Sequence, residues 1–239
     1  MESNIVLITG SESGIGYATS RIFLEHGAYV IGLDKNNSGS FSSNSQYELI
    51  QTDLTKLSEL ESRIIYIYDK FGRIDILVNC AGVTSLTSVL DLTSEEWDLV
   101  MNINLKSMFF CCKYVLKGMI KKKKGKIVNI SSNAGKTGGE IVGPHYSASK
   151  AGVLNLTISL AQFAAKYHIN VNCVAPGPTG TSMTSEWDDS SLEVLKSKIP
   201  FSRFGKPEEV AEAIYFLSSN KSDYITGEII DVNGGLLMD

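Results

Sequence analysis

The sequence predicts a doubly wound α/β fold, and three observations lead there. Six short apolar runs recur along the chain, at residues 5–8, 29–33, 74–78, 127–130, 169–175 and 229–232. Several are continuous rather than alternating, the pattern of strands covered on both faces of a parallel sheet. Segments with helical spacing separate them, at residues 15–26, 57–71, 95–120, 146–167 and 207–217, and strand–helix alternation implies a doubly wound sheet. No repeat, long linker or composition break divides the 239 residues, so one domain spanning 1–239 is expected.

Bulk properties narrow the function. The chain is 43% hydrophobic, enough for one full core, and carries a formal charge of −4 from 22 basic and 26 acidic residues. That balance argues against a nucleic-acid binder. No apolar run approaches the length of a bilayer span, and M-E-S-N-I-V-L-I-T-G lacks the basic start of a signal peptide. A cytoplasmic location is expected. Cys80, Cys111, Cys112 and Cys173 form no C-x-x-C pair, and His26, His145 and His168 are scattered. Reduced, buried thiols and no metal site are expected.

Taken in order, the first strand runs into L-I-T-G-S-E-S-G-I-G, with glycines at Gly10, Gly14 and Gly16. The first suits a tight turn. The others permit close backbone approach and open a helix whose N–H groups suit a pyrophosphate. The second strand ends in Asp34, placed where an acid binds the adenosine ribose hydroxyls. Such a carboxylate repels a 2′-phosphate, and Ser11, Glu12 and Ser13 supply no cation to neutralise one, which favours NAD over NADP. Lys35 is the one cation nearby. Residues 36–46, N-N-S-G-S-F-S-S-N-S-Q, read as a loop or a very short helix. A tolerated surface deletion is the favoured reading, with a shaped edge around an adenosine as the alternative.

Further on, K-I-V-N-I-S-S-N-A-G is a buried strand ending in Ser131 and Ser132, at the edge where a parallel sheet opens its ligand crevice. H-Y-S-A-S-K then sets Tyr146 and Lys150 on one helix face. A neighbouring ammonium favours phenolate, so Tyr146 is expected to have a lowered pKa and to serve as a general acid or base.

Together these motifs resemble the short-chain dehydrogenase/reductase family, over essentially the whole chain. T-G-S-E-S-G-I-G resembles that family's T-G-x-x-x-G-I-G. N-C-A-G resembles its N-N-A-G, with Cys80 in place of the second Asn. Asp53 in T-D-L-T resembles the acid that contacts the adenine. Asn104 in N-I-N-L-K, Ser132, Y-S-A-S-K, P-G-P-T-G-T, R-F-G-K-P-E-E-V-A and Y-I-T-G-E-I-I-D-V-N-G-G complete the pattern in family order.

The resemblance implies a Rossmann fold with a mostly parallel seven-stranded sheet and helices on both faces. It implies a catalytic set of Asn104, Ser132, Tyr146 and Lys150. Tyr146 exchanges the proton, Ser132 polarises the substrate oxygen, Lys150 binds the nicotinamide ribose, and Asn104 holds a relay water. It implies cofactor contacts at Gly10, Ser13, Gly14, Ile15, Gly16, Asp34, Asp53, Leu54, Asn79, Ala81, Gly82, Tyr146, Lys150, Pro176, Gly177, Thr179 and Thr181. A homotetramer is implied, one interface formed by the helices at 95–120 and 146–167.

The expected activity is NAD(H)-dependent interconversion of a secondary alcohol and a ketone. The texture resembles 3-oxoacyl-[acyl-carrier-protein] reductases, which usually use NADPH, a choice Asp34 opposes. NAD-dependent dihydrodiol dehydrogenases and sugar or polyol dehydrogenases are alternatives. A non-catalytic dinucleotide sensor is the rival from another class. Lys121, Lys122, Lys123 and Lys124 read as a solvated helix end, with docking of an acidic carrier protein as the alternative. Trp187 is expected on a loop near the substrate. Gly135-Lys136-Thr137 imitates the end of a phosphate-binding loop, but Ile130 stands where that motif needs glycine. No G-x-S-x-G elbow exists for a hydrolase.

Overall fold

The computed structural model describes residues 4–139, 141–181 and 189–238. Trp187 lies outside them. The strands are β1 (Ile5–Thr9), β2 (Tyr29–Asp34), β3 (Tyr47–Gln51), β4 (Ile76–Asn79), β5 (Gly125–Ile130), β6 (Ile169–Pro176) and β7 (Ile229–Val232). They form one seven-stranded sheet in the order β3-β2-β1-β4-β5-β6-β7, and every neighbouring pair is parallel. The chain reverses direction across the sheet between β1 and β4, which places the crevice at their C-terminal ends.

The helices are α1 (Gly14–Glu25), α2 (Leu57–Phe71), α3 (Ser94–Met101), α4 (Ser107–Lys122), α5 (Ala134–Thr137), α6 (Pro144–Ala164), α7 (Asp189–Lys198) and α8 (Pro207–Ser218). Alternation within the strands divides the core in two. Leu7, Ile31, Leu77, Ile127 and Val171 face α2, α4 and α6. Val6, Ile8, Val30, Val78, Val128 and Val174 face α1 and α8. Both strand faces are therefore apolar, which is why these runs look continuous in sequence.

Polar residues in the strands are paired. Asn79 Nδ2 donates to Asn129 Oδ1 at 2.9 Å, and Asn129 Nδ2 donates to Thr157 Oγ1 at 3.0 Å. This buried ladder joins β4, β5 and α6, and it satisfies groups that would otherwise be costly to bury.

α3 and α4 are one continuous helix, Ser94–Lys122, interrupted by a π-helical turn at Asn102–Lys106. Its 29 residues reach a mean hydropathy of 1.2 over the most apolar window, yet half of that window is buried inside the protein. It is long and apolar enough to cross a membrane and is used here as a core helix.

The sequence reading missed three elements, β3, the single-turn α5 and α7. β3, Y-E-L-I-Q, is an edge strand with half-exposed and polar positions, so it lacks a continuous apolar signal. α7 is largely polar. Residues 36–46 carry no helix, as expected. The four lysines from Lys121 to Lys124 are exposed and close α4, with Lys123 in a left-handed conformation at φ 50°. They precede β5 and so lie at the edge opposite the crevice, which favours the helix-end reading over docking of a carrier there. Lys136, in the phosphate-loop look-alike, pairs with Asp231 at 2.6 Å and braces α5 against β7.

Candidate active site

A cavity of about 390 Å³ opens at the C-terminal edge of the sheet. One end is the turn after β1. Gly10 adopts φ +68° and Gly14 φ +51°, and both line the cavity with Ser13, Ile15 and Gly16. Ser13 caps α1 without any side-chain hydrogen bond, and the first turn holds no acid. The first N–H groups of α1 therefore lack a partner within the helix, the arrangement that receives an anion. Across the switch point, Ala81 N–H donates to Thr9 Oγ1 at 3.2 Å and holds N-C-A-G beside the glycine turn.

The other end carries the chemistry. Ser132, Tyr146 and Lys150 all line the cavity. Burial pushes the Tyr146 phenol up, and a hydrogen bond with the Ser132 side chain pulls the other way. The expectation of a tyrosine lowered by its lysine is thus corrected: burial sets the direction, and the opposing pull comes from Ser132 rather than from the ammonium. Lys150 Nζ sits 5.8 Å from the Tyr146 ring centroid and donates to the Ile130 carbonyl at 3.0 Å. Lys150 is itself only 5% exposed, and burial lowers it to about 8.

The neighbouring serine is accounted for. Ser131 Oγ donates to the Lys150 carbonyl at 2.7 Å, tying β5 to α6. This leaves Ser132 as the serine on the phenol.

The π-helical turn brings Asn104 inward. Asn104 Oδ1 accepts from Val83 N–H at 2.8 Å, and Nδ2 donates to the Val83 carbonyl at 2.9 Å and to Ser149 Oγ at 3.1 Å. The amide thus clamps the chain after β4 to α6. A Cβ on Gly82 would lie 3.3 Å from Asn104 Oδ1 and 3.4 Å from Lys150 Nζ, so both groups crowd one bare glycine. Next to them, Glu96 accepts hydrogen bonds from the Ser85 and Thr87 hydroxyls and so fixes the segment that carries Thr84 into the cavity.

Pro176, Gly177, Thr179 and Thr181 follow β6 along the opposite wall. Gly177 is required there, because a Cβ would fall 2.8 Å from Asn233 Cα. Ile141, Val142, Leu195 and Leu236 complete an apolar wall that sequence reasoning missed. They come from irregular segments or from α7, where no periodicity marks them.

Asp34, Asp53 and Leu54 lie outside the cavity lining, beyond the glycine turn at the ends of β2 and β3. Asp34 Oδ2 accepts from Glu12 N–H at 3.0 Å and Oδ1 from Asn36 N–H at 2.9 Å. Asp53 Oδ1 accepts from Thr55 Oγ1 at 2.7 Å, which lowers its carboxyl. Asn79 and Asn104 are also outside the lining, their amides engaged as described.

A parallel sheet with an anion-receiving glycine turn beside a Ser–Tyr–Lys wall defines a dinucleotide-binding oxidoreductase fold. The chain belongs to the short-chain dehydrogenase/reductase family: a family model described as enoyl-(acyl carrier protein) reductase matches residues 10–237. It is 41% identical over 250 residues to the 3-oxoacyl-[acyl-carrier-protein] reductase FabG of Thermotoga maritima, covering 100% of this chain and 99% of that one. Among solved structures it is similar to ElxO with NADP bound, at TM-score 0.92 and 32% identity, covering 98% of this chain and 99% of that one. The ligand-free aldohexose dehydrogenase of Thermoplasma acidophilum matches at TM-score 0.90 and 30% identity, covering 98% and 94%.

The depressed lysine has a measurable consequence. Its folded pKa of about 8 lies below the ordinary lysine value of 10.5, so between these values the unfolded chain binds the extra proton. Stability from this group therefore rises with pH across that window. With no cofactor added, the urea midpoint of the wild type is expected to climb relative to Lys150→Met from pH about 8 to about 10.5. A constant difference between the two would contradict the burial argument.

Proposed function

We propose that this chain is an NAD(H)-dependent oxidoreductase that interconverts a secondary alcohol and a ketone, acting as a 3-oxoacyl-[acyl-carrier-protein] reductase. One observation carries the reading: Ser132, Tyr146 and Lys150 line the same cavity that holds the glycine turn. When bound, the nicotinamide supplies or accepts the hydride. The chain's own residues handle the proton and the oxygen. In reduction, the Ser132 hydroxyl donates a hydrogen bond to the carbonyl oxygen and orients it. Tyr146 Oη then gives that oxygen its proton as hydride reaches the carbon, and the alcohol leaves. Lys150 is held at Gly82 by the Ile130 carbonyl, where its Nζ can reach a ribose hydroxyl.

The NAD(H) preference rests on Asp34. Its carboxylate closes the end of β2, and residues 11–13 carry no cation. ElxO binds NADP, so this is a feature of the present chain rather than of the fold. The FabG relative supports an acyl-carrier-protein-linked substrate. A homotetramer is also proposed, with Ile158 and Phe163 on the outer face of α6 as exposed apolar support.

A second reading has its own observation. Thr84 Oγ1 and Asn133 Oδ1 are buried without a hydrogen-bond partner, and both residues line the cavity. Two such groups suit a hydroxylated substrate, as in a sugar, polyol or dihydrodiol dehydrogenase. The test is NADH oxidation with an acetoacetyl thioester, with NADPH in parallel. Turnover faster with NADH supports the proposal. Faster turnover with NADPH removes the cofactor assignment. No thioester turnover, with NAD reduced by sugars or cyclic diols, moves the substrate to the second reading. No turnover of any of these despite dinucleotide binding would favour a sensor.

A further inference from the structure

The glycine turn holds a charge that the chemistry so far does not use. Glu12 sits in the middle of an anion-receiving loop, yet it is only 7% exposed. Its carboxylate is fully engaged by neutral donors. Oε1 accepts from the Tyr47 phenol at 2.6 Å. Oε2 accepts from Ser38 N–H at 2.9 Å and from Ser38 Oγ at 2.6 Å. Among the described residues no cation pairs with it. Burying a carboxylate this way without a counter-ion is costly, and β1, β2 and α1 give no packing reason for an acid there.

Its surroundings are built to keep it in place. The donors come from two other segments, β3 and the 36–46 loop. Gly32 on β2 makes the room, since a Cβ there would lie 2.2 Å from Ser11 Oγ and 2.3 Å from Tyr47 Oη. Phe41 stacks on Tyr17 and packs at a tilt against Tyr47, each at 4.8 Å between centroids, and pins the 36–46 loop over the turn. This loop is therefore a fitted edge rather than the tolerated deletion its composition suggested. Burial and the bond to Glu12 push the Tyr47 phenol up, so it remains a donor. Finally, the backbone N–H of Glu12 donates to Asp34 Oδ2 at 3.0 Å. One residue thus carries a carboxylate of its own and fixes the carboxylate at the end of β2.

We infer that Glu12 is a second specificity-determining residue for the dinucleotide: with Asp34 it makes a doubly anionic floor under the adenosine ribose that rejects a 2′-phosphate. The inference rests on the NAD(H) reading above and adds a residue to it. Asp34 faces the ribose hydroxyls. Glu12, held by Ser38 and Tyr47, supplies a second, sheltered negative charge that solvent screens poorly. The loop at 36–46 has the role of holding that charge.

The test is direct binding rather than turnover. NADH and NADPH are titrated against the wild type, Glu12→Gln and Ser38→Ala, following nicotinamide fluorescence, with a thermal melt of each protein. Glu12→Gln keeps the size and most hydrogen bonds and removes the charge. It is expected to tighten NADPH about tenfold and to leave NADH within about twofold, a change of about 1.4 kcal/mol for the first. Ser38→Ala keeps the charge and is expected to leave the NADH-to-NADPH ratio unchanged. The melts guard against misfolding: a variant with the wild-type melting temperature and the wild-type NADH affinity is correctly folded. A wild type that prefers NADH, with a ratio that Glu12→Gln leaves untouched, overturns the role of Glu12 and leaves that of Asp34 standing. An equal shift in Ser38→Ala also overturns it, because loop shape rather than charge would then decide. A wild type that binds NADPH as tightly as NADH overturns both.

Discussion

Tyr146→Phe is expected to reduce turnover by about 10²–10⁴-fold while NADH binds within about twofold of wild type. The substitution removes one oxygen. The ring stays on α6 above Lys150, and Lys150 keeps its bond to the Ile130 carbonyl. What is lost is the proton donor and the hydrogen bond with Ser132. Burial holds the phenol above its ordinary range, so at neutral pH it is protonated and ready to donate. The direction fixes the pH dependence. Ketone reduction, which needs the phenol, is expected to be level near neutrality and to fall as the phenol ionises. Alcohol oxidation, which needs the phenolate as base, is expected to rise over the same range. Steady-state rates in both directions, with a fluorescence titration of NADH, check all three points. Undiminished turnover in the variant would remove Tyr146 from the chemistry.

Much of this was legible from the sequence because the backbone imposes it locally. Gly10, Gly14 and Gly16 answer to a turn and a helix start, and Tyr146 and Lys150 answer to one helical turn of spacing. A run such as I-V-L-I had to be apolar on both faces. The illegible parts depend on distance along the chain or on burial. β3 is a half-exposed edge strand. Ser38 and Tyr47 reach Glu12 from 26 and 35 residues away. The inward set of Asn104 comes from a π-helical turn that no residue pattern marks. Spacing placed the ammonium near the phenol, and only the fold shows that burial shifts Tyr146 the other way.

Gly16→Ala is expected to damage cofactor binding and stability together, because the clash is with backbone. A Cβ at this position would lie 1.8 Å from the Gly10 carbonyl oxygen and 2.7 Å from its carbon. Gly10 cannot retreat. Its N–H donates to the Leu33 carbonyl at 2.8 Å, and its own Cβ position lies 2.8 Å from Ala81 Cα. The strain must therefore be taken by α1, which is drawn off the turn with the N–H groups of its first residues. Overpacking of this kind costs about 1–3 kcal/mol, and if taken from binding it weakens NADH about 5- to 150-fold. Gly27→Ala is the control. Unlike Gly16 it has a positive φ, at +76°, and nothing lies within 4 Å of the added carbon. It is expected to cost about 1–2 kcal/mol of stability from the left-handed conformation alone and to leave NADH affinity unchanged. Thermal melts and NADH titrations of the two variants separate backbone strain from loss of the cradle. Wild-type NADH affinity in Gly16→Ala would mean that the close contact between α1 and the β1 turn is not what shapes the phosphate site.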